Sequence, residues 1–392
     1  MTGEVRNGPG RSSRSTSRLP VPREQAGTVV LVFATACAVT VMATRAYLTL
    51  TGFPQIGGEV YHLAHALWGG VLLTVAVVLA AGLSDTWVPP AAGALGGVGA
   101  GLFVDEVGKF ITQTNDYFFP LAATIVYLFL VLLAGATFAL SRYRRDTAEA
   151  HLYVVLDLAA AAADDRLTTQ RHLRLLHHLD RARECDPDEQ QRRIIDAMAS
   201  AFATERALAE QHGSSRWDRL ATRLGPTVTR RLARAVLLLH AFGAVTAIVT
   251  LVALPFLPPE LRTVDLVTAS GDTYELGGFG FRVAVASTVA GAVGGVLALV
   301  AVVLMSPSRR RVRPATVWGV AGMAVLLGVA DPLASYTSQF SVFLASTAQA
   351  LALLALLLWN RAERVAVEAS EREDALASVD APGPGPRGGG RP

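Results

Sequence analysis

The sequence predicts an all-α polytopic transmembrane helix bundle of about eight spans, N-in and C-in, with a helical cytoplasmic insert. Three observations lead there. The chain is 52% hydrophobic and only 17% charged, with a mean hydropathy of +0.39. Apolar runs of about 20 residues, the length that crosses a bilayer, recur along it. The arginines fall in alternate connections between these runs, as the positive-inside rule requires.

The elements follow in order. Residues 1–26 are a polar cytoplasmic tail carrying Arg6, Arg11, Arg14, Arg18 and Arg23. The apolar run behind the tail is too long for a signal-peptide core, so no cleavage is expected. Spans are expected at about 27–50, 61–83, 89–112 and 120–141, giving a four-span half over 27–141. A cytoplasmic segment, 142–232, opens with Arg142, Arg144 and Arg145 and closes with Arg230 and Arg231. It reads as helical. Leu173, Leu175, Leu176 and Leu179 form one stripe, and Ile194, Ile195, Met198 and Phe202 form another. Pro187 between Asp186 and Asp188 marks a turn and a helix start. Trp217, Leu220 and Leu224 begin a third helical stretch, interrupted at Gly225-Pro226. No metal-ligand spacing or nucleotide-binding loop stands out in this segment.

The second four-span half covers 233–360, with spans at about 233–256, 282–305, 315–332 and 341–360. Arg309, Arg310, Arg311 and Arg313 lie in one of its loops, while the loop 257–281 has only Arg262. The tail 361–392 ends in a Pro/Gly run that cannot bury a core. The four-plus-four layout invites a duplication reading, with spans three and seven overlaid. Gly93, Gly97 and Gly101 in span three, and Gly291 and Gly295 in span six, mark helix faces where a neighbouring backbone approaches closely.

The net charge is +3, carried by basic residues whose role is topogenic, so nucleic acid is not needed as a partner. The lipid bilayer is the partner that composition demands. Cys37 lies in a span and Cys185 in the cytoplasmic segment, so no disulfide is expected.

The 35 Lys and Arg comprise Lys109 and 34 arginines, a bias typical of high-GC bacterial genomes. Lys109 sits inside a span. One reading is a cation near a helix end, snorkelling to water. The other is functional, because ionisable groups within spans are candidates by default. Its neighbours favour the second. Glu59, His62 and His65 are spaced three apart at the extracytoplasmic start of span two, so they share a helix face. Asp105, Glu106 and Lys109 close span three at the same depth, with Asn115 and Asp116 in the following loop and Arg45 near the end of span one. Together they suggest an outward-facing pocket for an ion or small polar ligand.

Bland alternatives stand beside this. His62 and His65 could be interfacial residues. Asp105, Glu106 and Lys109 could be a structural ion-pair cluster. Tyr117, Phe118 and Phe119 read as an aromatic belt. His62 and His65, spaced as His-x-x-His beside carboxylates, could also ligate a divalent metal such as zinc. His240, Asp331 and Gln349 in the second half read as supporting structure.

The stretches Tyr61-His62-Leu63-Ala64-His65-Ala66-Leu67-Trp68-Gly69-Gly70 and Asp105-Glu106-Val107-Gly108-Lys109-Phe110-Ile111-Thr112, with Asn115-Asp116-Tyr117-Phe118-Phe119-Pro120, resemble a family of bacterial multi-pass membrane proteins. The layout, a His early on one span and an acid on the next, also resembles VanZ-like membrane proteins. The resemblance covers about residues 58–125 and implies no particular reaction. Three function classes therefore remain open: solute or ion binding and transport, metal-assisted extracytoplasmic hydrolysis, and scaffolding or signalling through the insert. No ATP-binding motif is present to drive primary transport. Oligomeric state is not encoded legibly.

Overall fold

The computed structural model describes residues 20–51, 65–112, 119–143, 145–163, 167, 169–202, 216–267, 273–305, 311–339 and 342–379. The chain is an all-α bundle. The first half contains α1 (Ala26–Thr51), α2 (His65–Gly82), α3 (Val88–Asp105), the short α4 (Val107–Ile111) and α5 (Pro120–Arg142). The insert contains α6 (Ala148–Ala163), α7 (Thr169–Glu184) and α8 (Glu189–Phe202). The second half contains α9 (Arg216–Ala253), α10 (Gly277–Leu304), α11 (Val312–Val325), α12 (Asp331–Ser338) and α13 (Val342–Val379).

Among the described residues, seven helical stretches are long and apolar enough to cross a membrane, where the sequence suggested eight. The missing one is α3. Pro89, Pro90 and five glycines lower its hydropathy, yet it is a complete 18-residue helix, buried at nine positions. Its enclosure explains the composition. Gly93, Gly97 and Gly101 bring the α1 backbone against it: a Cβ at Gly93 would lie 2.9 Å from Val29 O and one at Gly101 2.8 Å from Cys37 O. On another side, a Cβ at Gly69 of α2 would meet Gly99 O at 2.6 Å, and one at Gly99 would meet Gly69 O at 2.7 Å. α3 is thus clamped between two helices, and its weak hydropathy reflects contact with protein rather than lipid.

The opposite pattern marks the lipid-facing sides. Val77, Val78, Phe242 and Val249 are each more than 60% exposed on two apolar helices. In water, such surface would be an aggregation liability; in a bilayer it is the solvent contact.

The second half packs differently. Gly294 of α10 faces α11, where a Cβ at Gly322 would lie 2.8 Å from Gly294 O. Gly295 faces α9, 2.7 Å from His240 O by the same measure, whereas Gly291 has open space around it. The expected Gly291/Gly295 contact therefore falls on Gly294 and Gly295. The duplication reading gains only a hairpin: α2–α3 and α10–α11 both cross glycine on glycine, but α1 lies along α3 whereas α9 lies along α10.

α11 passes through a π-helical turn, Leu326–Ala330, before α12 starts at Asp331-Pro332. The loop after α9 contains an antiparallel hairpin, β1 (Val264–Val267) with β2 (Thr273–Leu276), which pairs Leu266 with Tyr274.

The insert forms its own core. Leu152, Val155 and Leu158 of α6 pack on Leu175, Leu179 and Ala182 of α7 and on Ile195 of α8. α8 begins with a reciprocal cap, as the Asp186-Pro187-Asp188 signal suggested. Gln191 N–H donates to Asp188 Oδ1 at 2.8 Å, and Asp188 N–H donates to Gln191 Oε1 at 3.0 Å. The long helix α9 bends where Gly225, at φ 70°, precedes Pro226. The insert is tied to the start of α1. Glu24 N–H donates to Asp157 Oδ2 at 3.0 Å, and Glu24 also pairs with Arg174. The beginning of α1 and the insert therefore share one end of the bundle.

Candidate functional site at the polar end of the bundle

The glycine contacts of α3 determine what meets at its C-terminal end. One turn beyond the Gly101–Cys37 contact, α3 reaches Asp105, and α1 reaches Arg45 two turns beyond. One turn before Gly69, α2 begins at His65. Three helices thereby deliver a guanidinium, an imidazole and a carboxylate to one place.

α3 does not continue through 112 as expected. It breaks at Glu106 (φ −85°, ψ 2°), and α4 restarts at Val107. The Lys109 N–H donates to Glu106 O at 3.0 Å, one residue short of the regular α-helical acceptor. This leaves Asp105 O available to a side chain. Arg45 takes it, donating from Nη2 at 2.9 Å while its Nε donates to Asp105 Oδ1 at 2.5 Å. The two-point grip needs the planar fork of arginine.

From there the charges alternate. His65 Nε2 lies 3.1 Å from Asp105 Oδ2, and His65 Nδ1 lies 2.9 Å from Glu106 Oε1. Lys109 Nζ lies 3.0 Å from Glu106 Oε2. The sequence Arg45–Asp105–His65–Glu106–Lys109 is a continuous chain of ionisable groups. Asp105 and Glu106 are 0% and 1% exposed, while the side chains of His65 and Lys109 are each 24% exposed. Acids are sealed inside; two bases remain reachable from the surface.

Among the sequence-based candidates, His65, Asp105, Glu106 and Lys109 are therefore brought together. Glu59, His62, Asn115 and Asp116 lie outside the described residues, as do Tyr117 and Phe118. Of the two acids within helical reach of Lys109, three and four residues before it, Lys109 pairs with Glu106, and Asp105 is gripped by Arg45. The imidazole bridges the two carboxylates through opposite ring nitrogens. Those nitrogens point apart, so His65 cannot bring both acids onto one ion. The three residues do not gather donors around a common point.

A third buried acid lies where the halves meet. Asp331 is 5% exposed and accepts from Tyr127 Oη at 3.0 Å and Ser346 Oγ at 2.6 Å on one oxygen, and from Gln349 Nε2 at 3.1 Å on the other. Tyr127 belongs to α5 in the first half. Ser346 and Gln349 belong to α13. The π-helical turn before Asp331 is held by Ser287 of α10, whose hydroxyl donates to Ala330 O at 3.0 Å. Asp331 was read as supporting structure; its environment is a four-residue network of neutral donors around a carboxylate, and it joins both halves. Single π-turns inside helices are frequent at functional sites. Nothing in the local sequence announces Tyr127, which is 204 residues away.

Compared with known protein families and with curated proteins, the chain matches no family model and no curated protein. It is an integral membrane protein by the number and character of its apolar helices.

Proposed function

We propose that the protein resides in a bacterial cytoplasmic membrane, with both termini and the insert cytoplasmic, and that its polar end binds or transports an ion or small polar solute from the extracytoplasmic side. The arginine distribution supports this sidedness. The joining of Glu24 to the insert agrees with it. In this reading the chain belongs with the bacterial multi-pass proteins that its motifs resemble.

The observation that carries the binding role is the asymmetry of the charge chain. Its carboxylates are sealed, both ring nitrogens of His65 are turned onto them, and the Lys109 ammonium is the partly open cation with three N–H donors. A solute arriving there meets the Lys109 ammonium, held in position by the buried Glu106, which His65 in turn braces. That surface favours an anion or a carboxylate-bearing solute over a cation. The metal-hydrolase alternative finds no support at His65, because the ring spans two acids rather than converging with them on one point.

The test is a thermal-shift series on detergent-solubilised protein with acetate, succinate, phosphate, sodium and zinc as probes. Stabilisation by at least one of the anions is expected, and it should disappear in His65→Gln and Lys109→Gln. Stabilisation that persists in both variants, or appears only with the cations, would refute this reading.

A further inference from the structure

A different group of metal-type donors lies at the opposite end of the bundle, where α5 leaves the apolar region and the insert begins. Asp146 sits in the short connection between α5 and α6, His151 in the first turn of α6, and Cys185 at the end of α7. Their donor atoms lie within 4.8 Å of one another. His151 Nε2 is 2.9 Å from Asp146 Oδ1, and Cys185 Sγ is 3.7 Å from the same oxygen. We propose that Asp146, His151 and Cys185 bind a divalent transition metal, zinc by the character of the donors.

The surroundings fit that assignment. One carboxylate, one imidazole and one thiol form a mixed O/N/S set, which suits zinc and excludes calcium or magnesium as preferred ions. Ligands bound at about 2.0–2.3 Å around a tetrahedral zinc lie roughly 3.5 Å apart, so the present separations close by small side-chain rotations. The residues behind the donors are arranged as supports. Arg181 Nη2 donates to Asp146 Oδ2 at 2.6 Å, leaving Oδ1 directed at His151 and Cys185.

His151 Nδ1 faces His178 Nδ1 at 2.8 Å. A metal at Nε2 would displace the proton shared there with Asp146, and the remaining proton on Nδ1 would be donated to His178 Nδ1. This is the outer contact that commonly fixes the tautomer of a metal-bound histidine. His178 is itself 8% exposed, so the supporting ring is fixed in place. Thr147 Oγ1 accepts from Ala150 N–H at 3.3 Å, capping α6 and anchoring the turn between Asp146 and His151.

Three protein ligands leave a fourth position for water or a solute oxygen, the pattern of exchangeable rather than closed zinc sites. Asp146 and His151 also line a cavity of about 650 Å³ at this end, together with Arg23, Arg145 and Arg174. The cavity leaves Asp146 and His151 open to solvent. Placed on the cytoplasmic side, as proposed above, Cys185 would remain a reduced thiol.

The experiment uses the full-length protein in detergent, stripped with a chelator and titrated with Co²⁺ and then Zn²⁺. One equivalent of Co²⁺ should give a thiolate-to-cobalt charge-transfer band, which Zn²⁺ removes. Cys185→Ser should abolish the band, and His151→Ala should weaken binding at least tenfold. His178→Ala should weaken it by about tenfold or more through loss of the supporting contact. His65→Ala should leave it unchanged, which separates this site from the polar end and lets either proposal fail alone. Absence of stoichiometric metal in the wild-type protein would overturn the inference. So would binding that survives Cys185→Ser combined with His151→Ala.

Discussion

At the scale of single residues, Arg45 matters most for the polar end, ahead of Lys109. Arg45 supplies both a side-chain and a backbone contact to Asp105, and both partners are buried. Removing one member of such a pair leaves a charge without compensation, at a cost of about 3–5 kcal/mol. Arg45→Ala should therefore lower the melting temperature in detergent sharply, Arg45→Lys should fall between, and Arg45→Ala with Asp105→Asn should recover part of the loss. Lys109 is a different case. Its side chain is partly open, and Glu106 also has His65. Solvent screening reduces such a pair to about 1 kcal/mol or less, so Lys109→Ala should cost clearly less than Arg45→Ala. Equal losses for the two variants would show that the buried grip of Arg45 is not the stronger contact.

At the scale of elements, close backbone approach positions the site. The α2–α3 crossing places Gly69 and Gly99 against each other's carbonyl oxygens. Backbone cannot swing aside as a side chain can, so a methyl group there must separate the helices. Gly69→Ala is expected to destabilise by about 1–3 kcal/mol and to move His65 away from Asp105 and Glu106. The adjacent Gly70 provides the control, since nothing lies within 4 Å of a Cβ built there. Gly70→Ala removes a helix-interior glycine and should be neutral or stabilising by about 0.5–1 kcal/mol. Thermal unfolding of the two variants side by side tests the crossing; a harmless Gly69→Ala would mean that α2 and α3 are farther apart than described.

At the scale of the whole molecule, Asp331 is the join between halves. Tyr127 in the first half and Ser346 in the second share one of its oxygens. Tyr127→Phe removes one of three donors and keeps the ring, so a loss of about 1 kcal/mol is expected. Asp331→Leu leaves two buried donors, Tyr127 and Gln349, and the half-buried Ser346 without their acceptor and should cost more, read as earlier melting and as easier proteolytic separation of the halves. Orientation is tested independently. A reporter inserted within the insert or after residue 365 should report the cytoplasm, and one inserted at 268–272 should report the opposite side. An extracytoplasmic signal from the insert would reverse the arrangement of every span.

The sequence by itself determined the class of the molecule, because hydropathy and helix length are local quantities that need no partner. It also made the insert legible: the stripes at Leu173–Leu179 and Ile194–Phe202 and the cap at Asp188 are signals within two or three turns of chain. The glycine ladder of α3 and the placing of His65, Asp105, Glu106 and Lys109 near one depth were readable for the same reason. The tertiary structure decided what those signals could not contain. Period and spacing assumed an unbroken third span, whereas the break at Glu106 freed the Asp105 carbonyl for Arg45. Hydropathy set α3 apart as the weakest span, but which helices enclose it, α1 on one side and α2 on the other, was decided by packing. The pairing of Asp331 with Tyr127 and the convergence of Asp146, His151 and Cys185 depend on how helices far apart in the chain lie against each other. Side-chain contacts across such separations follow from packing, and no local pattern in the sequence records them.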